Sequence, residues 1–265
     1  MTNDDMMTKV MAEVMRRISD DGAPAPPASD VVSSSLSEVL EFVGINKLGD
    51  SIGLVIPNIT PEIMDKMPSE KKFRSVGILG ARVGAGPQVF AADEAIKATN
   101  SQIVTVEFAR DTKGGAGHGS LIVFGAEDVS DARRAVNVAL KELDRTFGDV
   151  YGCDAGHLEF QYTARASRAL EKVFGAPLGK AFGITVGAPA AIGIVMADTA
   201  VKASDVDIVA YSSPASGTSF SNEVIAAISG DSGAVKQAIV SARDVGMKLL
   251  GAFGEKPESM ATPYI

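Results

Sequence analysis

Ala92-Asp93-Glu94-Ala95-Ile96-Lys97-Ala98 returns 105 residues later as Ala197-Asp198-Thr199-Ala200-Val201-Lys202-Ala203. Upstream of each copy lies a Gly-centred apolar stretch, Val76-Gly77-Ile78 and Phe182-Gly183-Ile184, 106 residues apart. Downstream of each, an apolar run ends in Gly with an Asp close behind, Gly125 to Asp128 and Gly230-Asp231, where the Asp spacing is 103. A drift of this size is what small loop insertions leave between two descendants of one unit. Solenoid units repeat every 20 to 50 residues or so, so a period this long is one small domain. The chain therefore reads as two related domains in tandem, and two related domains in one chain point to pseudo-symmetric assembly.

Composition bounds the rest. The 265 residues leave room for two compact cores. Hydrophobic residues make up 46% and mean hydropathy is +0.15, yet aromatics are only 6% and Trp is absent. Ala, Val, Ile and Gly carry the apolar load, which suits closely packed helices and flat subunit contacts. A net charge of −8 argues against nucleic acid or an anionic membrane as partner, since both attract basic patches. The single cysteine, Cys153, has no internal partner for a disulfide, which fits a reducing cytosol. No uncharged apolar run approaches the roughly 18 residues of a membrane span. The N-terminus lacks the basic start and apolar core of a secretory signal.

Residues 1–35 differ in character from residues 36–265. Met7, Val10, Met11, Val14, Met15 and Ile18 fall at the spacing of one helix face, while Lys9, Glu13, Arg16 and Arg17 fall mainly on the other. Asp4 and Asp5 favour the helix start through its dipole. Asp20-Asp21-Gly22 stops the helix, and Ala23-Pro24-Ala25-Pro26-Pro27 opens a stiff linker that continues through Ser33-Ser34-Ser35. So short a helix is marginal alone and needs cover for its stripe. Its methionines suit an adaptable docking surface, the alternative being a tail whose periodicity is accidental.

Each repeat has the same grammar. The first predicts strands over Ile52–Ile56, Ser75–Leu79, Ile103–Phe108 and Leu121–Phe124. Its helices are predicted over Pro61–Met67 and Pro87–Thr99, followed by one carrying Ala132, Ala135, Val136, Ala139, Leu140 and Leu143, with Asp128 or Ser130 to cap it. The second repeats this with strands over Leu158–Tyr162, Ala181–Val186, Asp207–Tyr211 and Val224–Ile228. Its helices are predicted over Ala164–Phe174 and Gly193–Ala203, then one bearing Val235, Ala238, Ile239, Ala242 and Val245. This is a mixed α/β (α+β) order, with helices covering a small sheet.

No complete catalytic constellation emerges. Gly80-Ala81-Arg82-Val83-Gly84-Ala85-Gly86-Pro87 lies between a strand and a helix, but lacks the Lys of a Walker loop and the third Gly of a dinucleotide fingerprint. Tight turning and close subunit contact explain its glycines. Asp111-Thr112-Lys113-Gly114-Gly115-Ala116-Gly117-His118-Gly119 joins two predicted strands, so it lacks the helix end of a phosphate cradle. Its counterpart is the long Ser212–Asn222 loop, also built of small polar residues. A catalytic reading would lean on His118 and a serine, whereas the plainer reading of His118 is a solvent-facing loop residue. The other histidine, His157, has no His or Cys at ligand spacing, so neither a metal nor any other cofactor is expected. Loops of small polar residues do let several copies approach an axis and line a narrow wet opening.

At this point the residues resemble a family. Gly230-Asp231-Ser232-Gly233-Ala234-Val235-Lys236-Gln237-Ala238, following an apolar strand and a Ser/Gly loop, is similar to the bacterial microcompartment (BMC) shell domain, as is the Ala-Asp-x-Ala-Ile/Val-Lys-Ala helix of both copies. The nearest type is the tandem, circularly permuted shell protein of propanediol-utilisation compartments. Residues 78–87, 110–119, 145–151 and 217–222, with the terminal Pro263-Tyr264-Ile265, carry that likeness, which spans residues 40 to 265.

The resemblance implies two permuted BMC domains over 36–152 and 153–265, each a small, mostly antiparallel sheet flanked by helices, behind an extension over 1–35. It implies a homotrimer of pseudo-hexameric shape that tiles beside hexameric and pentameric shell proteins. Lys113, Gly114, Gly115, Gly117, His118, Ser213, Ser216, Thr218 and Ser219 would line or flank a pore for small polar metabolites such as 1,2-diols. Arg82, Glu107, Asp111 and Asn222 would border an off-axis channel, and the N-terminal helix would hold encapsulated enzymes. From chemistry alone, an α/β enzyme or an oligomeric metabolite-binding protein stays open.

Overall fold

Ile122 and Phe124 point to one face of a strand and Val123 to the other, and all three are buried. That strand, β5 (Ser120–Ala126), is covered on both faces, which is why its sequence is continuously apolar instead of alternating. The structure, a computed structural model, describes residues 39–48, 50–82, 84–108 and 119–265. It divides into Met1–Phe42 and Val43–Ile265. Of the first unit, residues 39–42 are described, and the Phe42 N–H donates to the Val39 carbonyl at 3.0 Å.

The first sheet contains β1 (Phe42–Ile45), β2 (Ser51–Ile56), β3 (Ser75–Ala81), β4 (Gln102–Glu107) and β5, in the order β1-β2-β3-β5-β4. The second contains β6 (Val150–Cys153), β7 (Gly156–Thr163), β8 (Ala181–Ala188), β9 (Val206–Ser212), β10 (Val224–Gly230) and β11 (Glu258–Ser259), in the order β11-β6-β7-β8-β10-β9. Apart from β11 the two orders are the same, and every recorded pairing between these strands is antiparallel. The helices also correspond: α1 (Pro61–Met64) to α4 (Arg168–Phe174), α2 (Gly86–Ala98) to α5 (Ala190–Ala203), and α3 (Val129–Thr146) to α6 (Ser232–Gly251).

The expected α3 stripe is buried in full, from Ala132 to Leu143. Asp128 stands at its N-cap without a side-chain bond to the helix, so it acts there through the dipole alone. The helix rests directly on the sheet: a Cβ on Gly77 would lie 2.7 Å from the Ala132 carbonyl oxygen and from Val136. Gly183 does the same for α6, where a Cβ would lie 2.9 Å from Ile239. These are the glycines of the repeated landmark.

The structure departs from the sequence expectation at short elements. α1 ends at Met64, not Met67. α4 starts at Arg168, not Ala164, because the Ser167 hydroxyl accepts from the Ala169 N–H at 3.2 Å and caps the helix. β1, β6 and β11 have no counterpart among the predicted strands, since strands of two to four residues are too short to display a period of two.

The chain end is fastened beneath the second sheet. Buried Asp149 accepts from Arg243 Nη1 at 2.8 Å and from the N–H groups of Tyr264 and Ile265 at 2.8 and 3.0 Å. Gly148 packs against the Thr262 carbonyl, where any Cβ would collide. Arg145 lies 4.6 Å over the Tyr264 ring, and the Tyr264 hydroxyl donates to Gln161 at 3.1 Å.

Candidate functional site

Two places organise the surface available for function: the seam where the first domain meets the second, and the loop after β9. At the seam, α2 packs on α4 and β7. Phe90 stacks on Phe182 with centroids 6.1 Å apart, and Phe174 bridges Phe182 and Phe108 at 5.8 and 6.3 Å. Burying large apolar side chains of this kind is worth about 1.5–3 kcal/mol each. The polar half of the seam is supplied by the repeated motif. Asp93 Oδ1 accepts from the Ser167 N–H at 2.7 Å, while Lys97 Nζ lies 2.5 Å from Asp93 Oδ2 and donates to Thr163 Oγ1 at 3.0 Å. The motif in the first copy is thus a docking device.

Its second copy is bare. Phe90 is 2% exposed and its counterpart Val195 42%; the Asp93 side chain is 0% exposed and that of Asp198 57%. Asp198 is left with Lys202 at 2.7 Å. The receiving side shows the same contrast. Residues 59–63 correspond to 166–170, as the bonds Ile59 N–H to Arg74 O and Ala166 N–H to Lys180 O confirm at 3.0 and 2.8 Å. Leu170 is 0% exposed in the seam and its counterpart Ile63 53%.

The Ser213–Asn222 loop is tied internally. The Ser213 and Ser216 N–H groups donate to each other's carbonyls at 2.7 and 2.9 Å. Gly217 takes φ 98°, which favours glycine, and Ser219 and Phe220 also adopt positive φ. Thr218 is buried with its hydroxyl donating to the Ser221 carbonyl at 3.0 Å, so it braces the loop from within; Ser216 and Ser219 are exposed and Ser213 is half-buried. Exposed Asn222 accepts from the Ala190 N–H at 3.2 Å, at the start of α5. Arg82 and Glu107 are exposed. Asp111, Lys113, Gly114, Gly115, Gly117 and His118 lie outside the described residues, as do Met7, Val10, Met11, Val14, Met15 and Ile18.

Beneath this loop is a cluster that no sequence pattern announces. A cleft of about 70 Å³ is lined by Gly86, Phe108, Glu159, Phe174, Gly217, Ser219, Glu223 and their neighbours. His157 Nε2 lies 3.4 Å from Glu223 Oε2 and 4.0 Å from Glu159 Oε1. Burial pushes the imidazole pKa down, but the Glu223 hydrogen bond and the fields of both carboxylates more than offset this, so it lies above the ordinary histidine value. Among the described residues no group of three His, Cys, Asp or Glu side chains could hold a metal ion, and no helix is long and apolar enough to cross a membrane.

Two copies of one permuted domain, joined by a seam whose two halves each recur uncovered elsewhere on the chain, define a tandem shell-type protein. The comparisons with known proteins agree. The BMC domain family matches residues 181–255, a stretch that begins at β8 and leaves β6, β7 and α4 ahead of it. The shell protein PduB of Salmonella typhimurium is 55% identical over 271 aligned residues that span 100% of both chains. The crystal structure of a trimeric bacterial microcompartment shell protein PduB gives a TM-score of 0.83 at 53% identity, covering 85% of this chain and 99% of its own. EtuB from Clostridium kluyveri gives 0.82, also at 53% identity and with the same coverage. The chain belongs to the PduB family of bacterial microcompartment shell proteins.

Proposed function

We propose that the protein is a structural tile of a microcompartment shell, that it carries out no bond-making chemistry, and that it assembles as a trimer of six pseudo-equivalent domains. The observation that carries this reading is the uncovered second copy of the seam. Placing the exposed face of α5 against α1 and β2 of another copy would repeat the internal seam. Asp198 would meet the N–H of exposed Thr60, as Asp93 meets Ser167. Head-to-tail contacts of this sort give a ring where the rotation closes and a filament where it does not, and the trimeric relative supports a ring of three. The two domains of this reading, 36–152 and 153–265, meet within β6, with 1–35 as a separate extension.

In this ring the 111–119 and 213–222 loops flank the axis, where hydroxyls and backbone groups suit small uncharged polyols such as 1,2-diols. Arg82, Glu107, Asp111 and Asn222 border a second passage off the axis. The outer edges meet hexameric and pentameric shell proteins, and the N-terminal stripe holds encapsulated enzymes. Light scattering of protein lacking residues 1–35 tests the assembly. The expected mass is that of three chains, reduced towards one by Val195→Asp with Ile63→Asp. A stable monomer or dimer of the unsubstituted protein in dilute buffer would overturn it.

A further inference from the structure

The internal seam holds one contact whose place in the second copy is taken by a residue of opposite charge. β4, the outer strand of the first sheet, slips against β5 between Ile103 and Thr105, which leaves Val104 out of the ladder. β9, the outer strand of the second sheet, slips against β10 at the same point of the repeat and leaves out Val209. The extra residue of such a bulge has no partner in the ladder, so its carbonyl takes a donor from elsewhere. At β4 the donor is Lys172 of α4, whose Nζ gives hydrogen bonds to the carbonyls of Val104 at 2.7 Å and Ile103 at 3.4 Å. At β9, among the described residues, no side chain donates to the carbonyls of Ile208 or Val209. Ile103 is half-buried against the seam, whereas Ile208 is exposed.

The correspondence that pairs residues 59–63 with 166–170 carries Lys172 to Asp65. A carboxylate cannot donate to a carbonyl, so a border between two chains cannot repeat this contact with the same residue. Asp65 holds a cation instead. Lys72 Nζ lies 3.3 Å from Asp65 Oδ1 and donates to the Met64 carbonyl at 3.3 Å. An ammonium has three N–H donors, and these two partners leave one for a third. Both side chains are exposed on the single chain. Neighbouring Lys71 is turned elsewhere, to Glu127 at 3.0 Å and over the Phe73 ring.

We infer that Lys72, steadied by Asp65, bridges two copies of this chain by donating to the bulge carbonyls of Val209 and Ile208 on β9 of the neighbour. It fills there the place that Lys172 fills within the chain. The bridge rests on the proposed ring, because only that arrangement lays α1 of one copy along β9 of the next. It gives the two kinds of border different chemistry at the same bulge: a lone lysine inside the chain, and a lysine held by a carboxylate between chains.

Concentration-dependent light scattering of the full chain reads association, and urea unfolding reads protomer stability. Lys72→Met keeps the apolar stem and removes the donors, and should weaken association by about tenfold or more. Lys72→Arg should restore most of the loss. Lys172→Met should do the reverse, lowering the urea midpoint with association unchanged. An unsubstituted trimer whose association is untouched by Lys72→Met, or is weakened equally by Lys66→Met, would overturn the bridge and leave the ring standing. An unsubstituted chain that stays a monomer would overturn the ring and the bridge with it. For a trimer too tight to dissociate, cross-linking decides. Chains carrying Lys72→Cys and chains carrying Ile208→Cys, both with Cys153→Ser, are co-expressed and treated with a short bismaleimide. A band of two joined chains is expected, and its absence from an intact trimer would overturn the bridge.

Discussion

Asp93 Oδ1 accepts a hydrogen bond from the Ser167 N–H at 2.7 Å, joining the repeated motif of the first domain to the helix cap of the second. Its copy, Asp198, has the same Lys four residues on but no such partner among the described residues. One motif is therefore worth different amounts at its two positions. Asp93→Ala removes the charge-assisted bond to the half-buried Ser167 N–H and the ion pair with Lys97, and should cost about 1.5–3 kcal/mol of folding stability. Asp198→Ala should shift protomer stability by no more than about 0.5 kcal/mol, yet weaken association of the proposed trimer. Urea unfolding and concentration-dependent light scattering on the two variants separate these effects. Equal losses in both assays would remove the basis for treating α5 as a subunit contact.

The N-terminal stripe gives a second test. Met11→Asp with Met15→Asp places two charges among Met7, Val10, Val14 and Ile18, and should leave trimers and tiling intact. Compartments should then be poorly filled, with cargo enzymes in the cytosol. Pull-down of cargo by the variant at the unsubstituted level would show that the stripe does not dock.

Much of the fold is legible in the sequence. The Ala-Asp-x-Ala-x-Lys-Ala repeat locates α2 and α5, and alternation or continuous apolarity locates the longer strands, because those patterns are imposed by burial on one face or both. The seam partner of Asp93 is not legible, since a backbone N–H belongs to every residue except proline and leaves no mark. Nor is the His157–Glu223 pair: its members are 66 residues apart and meet only because β7 and β10 flank β8. Thr218 reads as one more small polar loop residue, and only the turn at Gly217 directs it inward.

His118 provides the check on chemistry. His118→Ala should leave assembly unchanged and alter metabolite leakage modestly. An intrinsic turnover in the purified protein that this substitution abolishes would contradict a purely structural role.

The buried end of the chain predicts alkaline behaviour. Burial pushes the Tyr264 phenol up to about 12 from 10.0. An acid group held protonated in the folded state stabilises it at lower pH, and this contribution is lost as pH rises from the unfolded value through the folded one. Melting temperature should therefore fall with added steepness between pH 10.0 and about 12. Tyr264→Phe should flatten that limb while lowering stability at neutral pH through loss of the bond to Gln161. An unchanged alkaline slope in this variant would assign the transition to another group.

The aromatic stack at the internal seam has no twin. Where Phe90, Phe174 and Phe182 meet, the corresponding residues of the other repeat are exposed Val195, half-buried Met67 and Val76, which is buried in its own sheet's core. In a ring of six separate single-domain chains, one gene writes all six borders, and every substitution is felt six times. In the proposed ring of three chains, the duplication lets the borders differ: three are made permanent by the peptide chain and filled with large rings, while the other three would be closed by Val195 and Ile63, which lie exposed on the single chain.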